Sequence, residues 1–352
     1  MSTFKNMLAG IGASAALIAL GAPAWADSVI AGKEILPAEI AARIMASRQG
    51  LEKLDNSDTA RGFYRKVDLW PPTYTKLRVC FMGGSDELNA NVAKVARNWN
   101  RVAKISLRLD FGKKDNPRRC KAGARESQIR VSYDKPGYYS VLGQTSVVLV
   151  PQEENSLNLG EFDKLADPNA VLDGELKGVI THEFGHALGL YHEHQSPVAD
   201  CGSEYNWDFI FKYLKGPPNN WDEAQIKFNM DPYPEDEDSE DSLMMTKFDP
   251  ASIMLYSFPA EYYLKGRDSP CFIGNSNTDV SKSDKMTVEY MYPVDVSSRL
   301  QAFEQSRSQI ADIVKKAEAS GTKAVGMDYL DGYFSAKGLA DEGEDQDGAG
   351  DE

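Results

Sequence analysis

The stretch T-H-E-F-G-H-A-L-G-L-Y-H-E-H, residues 181–194, holds all four histidines of the chain: His182, His186, His192 and His194. On an α-helix His182 and His186 are i and i+4, about 40° apart around the axis and one turn along it, so both imidazoles face one point. Gly189 can take a positive φ and end that helix, which lets the chain turn back and bring His192 in from another side. Three neutral nitrogens at about 2.0 to 2.1 Å leave a fourth position for water, the donor set of a catalytic zinc. Glu183 follows His182 and projects beside such a metal, where it can take a proton from water and pass it to a leaving amine. The blander readings are solvated histidines on a helix surface and a closed structural zinc site. Glu183 would have no role in the latter.

Around this helix, expected over residues 173–188, the pattern is that of a sheet domain. Residues 77–82 (LRVCFM) read as a buried strand, and Ser85 caps a helix whose Leu88, Val92, Val95, Trp99 and Val102 recur on one face. Strand-like runs follow at 105–111, 128–133 and 146–150, with a shorter one at 138–142. An unpaired strand within 138–150 would let a peptide add as an extra antiparallel strand. Residues 27–66 are polar, with one helical patch (Leu36, Ile40, Ile44) inside a candidate helix over 37–54 and no obvious partner strand. Beyond Cys201 the chain reads as loop-rich, with Pro217, Pro218, Pro232 and Pro234, until helices return at 283–292 and 298–319. Strands with long helices between them point to an α/β or α+β sheet domain.

Composition sets the context. The chain has 352 residues, 42% hydrophobic and 26% charged, ordinary for a globular protein. Its net charge of −14 repels phosphate backbones, which argues against nucleic acid as a partner. Residues 1–26 read as an export signal: Lys5, an apolar run over 7–20, and Ala24-Trp25-Ala26 before the cut. No later segment approaches a membrane-spanning length, so a secreted or periplasmic protein without membrane association after signal cleavage is expected. Cys80, Cys120, Cys201 and Cys271 are even in number and form no Cys-x-x-Cys pair, as suits disulfides in an oxidising compartment. Three pairings are open, and local closure favours Cys80 with Cys120 and Cys201 with Cys271. The acidic run at 235–241 reads as a solvated loop, with a calcium site as the alternative.

His182-Glu183-x-x-His186-x-x-Gly189-x-x-His192-Glu193 matches the metzincin zinc signature, and the glutamate after the third histidine makes the chain resemble the astacin branch. Ser252-Ile253-Met254-Leu255-Tyr256 resembles the astacin Met-turn. The resemblance implies that Met254 forms a floor beneath the metal and that Tyr256 is a swinging zinc ligand able to stabilise the oxyanion. It covers roughly residues 70–293, including Trp99-Asn100, Ser140 to Gly143 and Val280 to Asp284. It implies an α+β, metzincin-type two-lobed catalytic domain: an upper twisted mixed sheet with two long helices above a lower irregular lobe with a C-terminal helix. After His192 the chain reads Glu193-His194-Gln195-Ser196-Pro197, without the arginine and aspartate run of animal astacins, which leaves the docking of a new N-terminus on Glu193 open.

The expected organisation is therefore a signal at 1–26, an N-terminal extension or prosegment at 27–66, and a catalytic domain at 67–296. A helical extension follows at 297–340, with a disordered acidic tail at 341–352. The expected function is hydrolysis of protein or peptide substrates with Zn2+, Glu183 acting as general base. The alternative is a secreted zinc-containing binding module without turnover. In astacins a prosegment aspartate occupies the open zinc position, and Asp55 and Asp58 are the candidates here.

Overall fold

Ile40 and Ile44, four residues apart on Ala38–Arg48 (α1), are buried and turn one apolar face of this helix onto the domain. From the same helix Arg43 donates to the Leu149 carbonyl at 3.4 Å and pairs with Glu154 at 3.1 Å. The structure is a computed structural model that describes residues 36–48, 64–65, 68–72, 74–122, 126–217, 219–233, 243–244 and 247–295. The expected signal, Asp55 and Asp58, the acidic run at 235–241, the helix at 298–319 and the tail lie outside the described residues. Tyr64–Arg65 (β1) pairs antiparallel with Leu243–Met244, so the 27–66 segment does have a partner strand, supplied from far along the chain.

Lys76–Phe81 (β2) is the buried LRVCFM run and pairs in parallel on both sides. Ser85 caps the next helix, Asp86–Ala96 (α2), accepting the Leu88 N–H at 3.1 Å. The single helix expected through Val102 is in fact two. Arg97 closes α2, its N–H donating to the Ala93 carbonyl at 3.0 Å, and Asn98–Val102 (α3) follows directly, with the Trp99 indole N–H on the Thr181 carbonyl at 3.0 Å. Arg108–Asp110 (β3), Ile129–Ser132 (β4), Tyr138–Ser140 (β5) and Leu157–Leu159 (β6) complete a five-stranded sheet of order β3-β2-β4-β6-β5. The sheet is parallel except for β5, which runs antiparallel to β6 and forms an edge.

The expected strand at 146–150 is instead a helical turn, Thr145–Val148 (α4), and β6 takes the place in the sheet. The cause is Arg130. Its buried guanidinium donates to the carbonyls of Ser146 at 2.8 Å and Val150 at 3.3 Å, which are thereby taken from any strand ladder.

Gly174–Ala187 (α5), the motif helix, lies across the sheet beside α2 and ends the upper lobe. The segment read as loop-rich is largely helical: Cys201–Glu204 (α6), Trp207–Lys215 (α7) and Glu223–Met230 (α8). Asn206 and Asp222 cap the last two by accepting the N–H groups of Phe209 and Gln225, signals masked in sequence by the prolines between them. Leu243–Met244 is β7, and Lys282–Met291 (α9) closes the lower lobe with a Ser281/Asp284 capping box. The whole is α+β, a mixed sheet with helices above an irregular lobe, as expected. Both disulfides follow local closure, Cys80–Cys120 and Cys201–Cys271.

Candidate functional site

The end of α5 builds the first half of the site. Gly189 sits at φ +100°, a conformation that side-chain-bearing residues rarely adopt. Its N–H donates to the His186 carbonyl at 2.7 Å, and the Leu190 N–H donates to the Gly185 carbonyl at 3.0 Å. These two bonds are a Schellman motif, which satisfies the last helical carbonyls and reverses the chain. The reversal brings the Leu190 carbonyl onto His186 Nδ1 at 2.7 Å and delivers His192 to the other side of the same space.

Hydrogen-bond accounting then fixes the tautomers. His182 Nδ1 lies 2.7 Å from the Ile253 carbonyl and His186 Nδ1 faces that of Leu190; a carbonyl only accepts, so each Nδ1 carries the proton. In both rings the lone pair is left on Nε2. His186 Nε2 and His192 Nε2 are 2.9 Å apart, and ligand atoms of His182, His186 and His192 all lie within 4.8 Å of one another. Two lone pairs at that distance repel unless a cation stands between them. The edge of a tetrahedron with 2.0–2.1 Å bonds is about 3.3 Å, so the donor set fits a metal ion. It is the one such group of three among the described residues. His194 is not part of it: its Nε2 donates to the Asn229 carbonyl at 3.0 Å.

The second half comes from the 252–256 turn. Ser252 and Ile253 are held by Asp284, whose carboxylate accepts the Ser252 hydroxyl at 2.7 Å and the Ile253 N–H at 2.8 Å. Burial pushes the Asp284 carboxyl up, and these donors with the Ser281 N–H hold it down. The Met254 thioether lies against Gly185 so closely that a Cβ there would stand 2.5 Å from its sulfur. A side chain at Gly185 would therefore have to displace the Met254 thioether, a constraint hidden within the x-x of the motif. The Tyr256 hydroxyl is 2.5 Å from His192 Nε2, and its ring stacks on His182. Glu183 is buried beside His182 on α5.

Glu193 accepts the Asp249 N–H at 2.9 Å and donates its own N–H to the Met254 carbonyl at 3.0 Å, a strut between the third histidine and the turn. Burial pushes its carboxyl up to about 8, against the Asp249 N–H that holds it down.

Beside the imidazoles runs a cleft lined by Tyr139 and Ser140 of β5, His186, His192, Phe228 and Tyr233, with Leu36 and Ile44 of the α1 region also on its wall. β5, an edge of the sheet among the described residues, thus contributes to its wall. The structure thus gathers His182, His186, His192, Glu183, Met254, Glu193 and Tyr256 in one place, with Gly189 at the helix end; the four cysteines pair elsewhere. Gly185 and Asp284 are the contributors that spacing alone does not reveal.

The fold and this trio of imidazoles define the class: the chain resembles the astacin-like metzincin zinc metalloendopeptidases, in the α+β two-lobed form. In particular it is similar to a solved structure of myroilysin, with 26% identity and a TM-score of 0.53, covering 66% of this chain and 98% of that one. A crystal structure of myroilysin matches at 24% identity and a TM-score of 0.43, covering 69% of this chain and 100% of that one. High choriolytic enzyme 1, a hatching enzyme zinc-protease from the medaka fish Oryzias latipes, matches at 19% identity and a TM-score of 0.40, covering 66% and 98%. No family model and no curated protein matches the chain.

Proposed function

We propose that the chain is an exported zinc endopeptidase that hydrolyses peptide bonds in protein or peptide substrates, with Glu183 as general base. The observation that carries this reading is the convergence of three imidazole ligand atoms beside Glu183 and the Tyr256 hydroxyl, two of the imidazoles, His186 and His192, lining a cleft that Tyr139 and Ser140 of β5 also line. A bound zinc ion supplies Lewis-acid polarisation of the scissile carbonyl and lowers the pKa of water. His182, His186 and His192 would hold it through Nε2. Glu183 takes a proton from water and returns it to the leaving amine, and the Tyr256 hydroxyl donates to the oxyanion. β5 offers its outer backbone groups to an extended peptide.

Export is supported by the leader-like residues 1–26 and the two disulfides, and no helix among the described residues is long and apolar enough to cross a membrane. Leu36 and Ile44 line the cleft beside His186 and His192, which supports reading the 27–66 segment as a prosegment that restricts it.

The test uses zinc content and chelator-sensitive peptide cleavage. Glu183→Ala should keep about one zinc per chain and lose roughly 10² to 10⁴ of activity, whereas His186→Ala should lose both. Zinc should also leave on acidification toward about pH 5, where imidazoles protonate. Stoichiometric zinc with no chelator-sensitive cleavage of any peptide would favour a binding module instead.

A further inference from the structure

Two of the three converging imidazoles are oriented by backbone: His182 by the Ile253 carbonyl and His186 by the Leu190 carbonyl. The third is held by a side chain. His192 Nδ1 lies 3.0 Å from Gln195 Oε1, and the Gln195 amide nitrogen lies 3.0 Å from the Phe228 carbonyl and 3.1 Å from that of Asp231. We infer that Gln195 is the positioning residue of this site, fixing the ring orientation and tautomer of His192 by anchoring it to the end of α8. The inference rests on the zinc reading above.

The amide can point only one way. Two carbonyl oxygens accept and never donate, so the group facing them is the NH₂ of Gln195. Oε1 must then face His192, and the bond between them needs a proton on Nδ1. That leaves the Nε2 lone pair of His192 toward His186 Nε2, 2.9 Å away, the form that ligates a metal. A glutamine that is only 3% exposed and uses both ends of its amide is rigid enough to set this geometry.

The anchor is also explained by helix physics. The last four carbonyls of a helix lack intrahelical partners. Those of Phe228 and Asn229, in the final turn of α8, accept from Gln195 and from His194 Nε2, while the Tyr233 N–H returns a bond to the Gln195 carbonyl at 2.9 Å. One residue thereby caps α8 and aims His192, linking the third histidine to an element more than 30 residues further on. This lacing occupies the stretch where the arginine and aspartate run of animal astacins is missing.

The test measures zinc dissociation by chelator competition on the zinc-loaded protein, together with the visible spectrum of the cobalt-substituted form. Gln195→Met, similar in length but without amide groups, should weaken zinc binding about 10- to 100-fold and perturb the cobalt spectrum. Gln195→Glu separates the two contacts: it retains an acceptor for Nδ1–H but loses the donors that anchor it to α8, so zinc affinity should fall less than in Gln195→Met yet clearly below wild type, and wild-type affinity in this variant overturns the anchoring. It also serves if the methionine variant fails to fold. Ile226→Val, which thins the packing of α8 without touching the amide, should leave zinc affinity and spectrum unchanged. Wild-type zinc affinity in a folded Gln195→Met protein overturns the role of Gln195, as does an equal loss in Ile226→Val. Absence of zinc from the wild-type protein overturns the zinc reading itself and this inference with it.

Discussion

Asp284 accepts the backbone N–H of Ile253 at 2.8 Å, and the carbonyl of that same Ile253 takes the Nδ1 proton of His182 at 2.7 Å. A carboxylate on α9 therefore bears on an imidazole on α5 through the backbone of one residue. Asp284→Ala would bury the Ile253 N–H, the Ser252 hydroxyl and the Ser281 N–H without their acceptor. At about 1–3 kcal/mol for each buried unsatisfied group, we expect a loss of at least about 3 kcal/mol in urea unfolding and weaker zinc retention. Unchanged stability and zinc content would show that the turn holds its shape without this residue.

Tyr256→Phe removes a hydroxyl 2.5 Å from His192 Nε2 while leaving the ring that stacks on His182. If the phenol assists at the oxyanion, kcat should fall by up to about 10² to 10³ with little change in KM. Steady-state kinetics on one peptide decides this, since an unchanged kcat reduces the tyrosine to packing.

Gly185→Ala would place a methyl 2.5 Å from the Met254 sulfur and 3.3 Å from the Trp99 ring. Overpacking of this kind costs about 1–3 kcal/mol. Adding Met254→Ala should recover part of that loss, giving a coupling of about 0.5–3 kcal/mol in a double-mutant cycle of thermal or urea unfolding. Simple additivity would mean that helix and turn are not in contact.

A chain beginning at Val67 lacks Leu36 and Ile44, which line the cleft beside His186 and His192. We expect it to cleave a fluorogenic peptide with higher kcat/KM than a chain beginning at Asp27. Equal values for the two proteins, both folded and zinc-loaded, would show that the segment does not restrict access.

What could be read from the residues followed local rules. His182 and His186 share a helix face by periodicity, Gly189 ends the helix by its backbone freedom, and Ser85 caps α2 by side-chain geometry. What could not be read depended on partners distant in sequence. The β-branched run at 146–150 looks like a strand until Arg130 claims two of its carbonyls. The helices α7 and α8 sit among prolines that suggest loops, and the aromatic face of α7 makes sense only against Tyr262, on which Phe209 and Tyr213 pack. Gln195 carries no local signal at all, because its meaning is set by two carbonyls at the end of α8.

The pairing of Cys201 with Cys271 encloses the stretch that carries α8, Met254 and Tyr256, while His182, His186 and His192 lie outside that covalent ring. Closing a loop of 70 residues narrows the unfolded ensemble by about 4 kcal/mol in the chain-entropy picture. The phenol, the sulfur floor and the platform behind His192 thus share a fate that the imidazoles do not. Under reducing conditions the chain loses that constraint on the segment that faces the histidine helix.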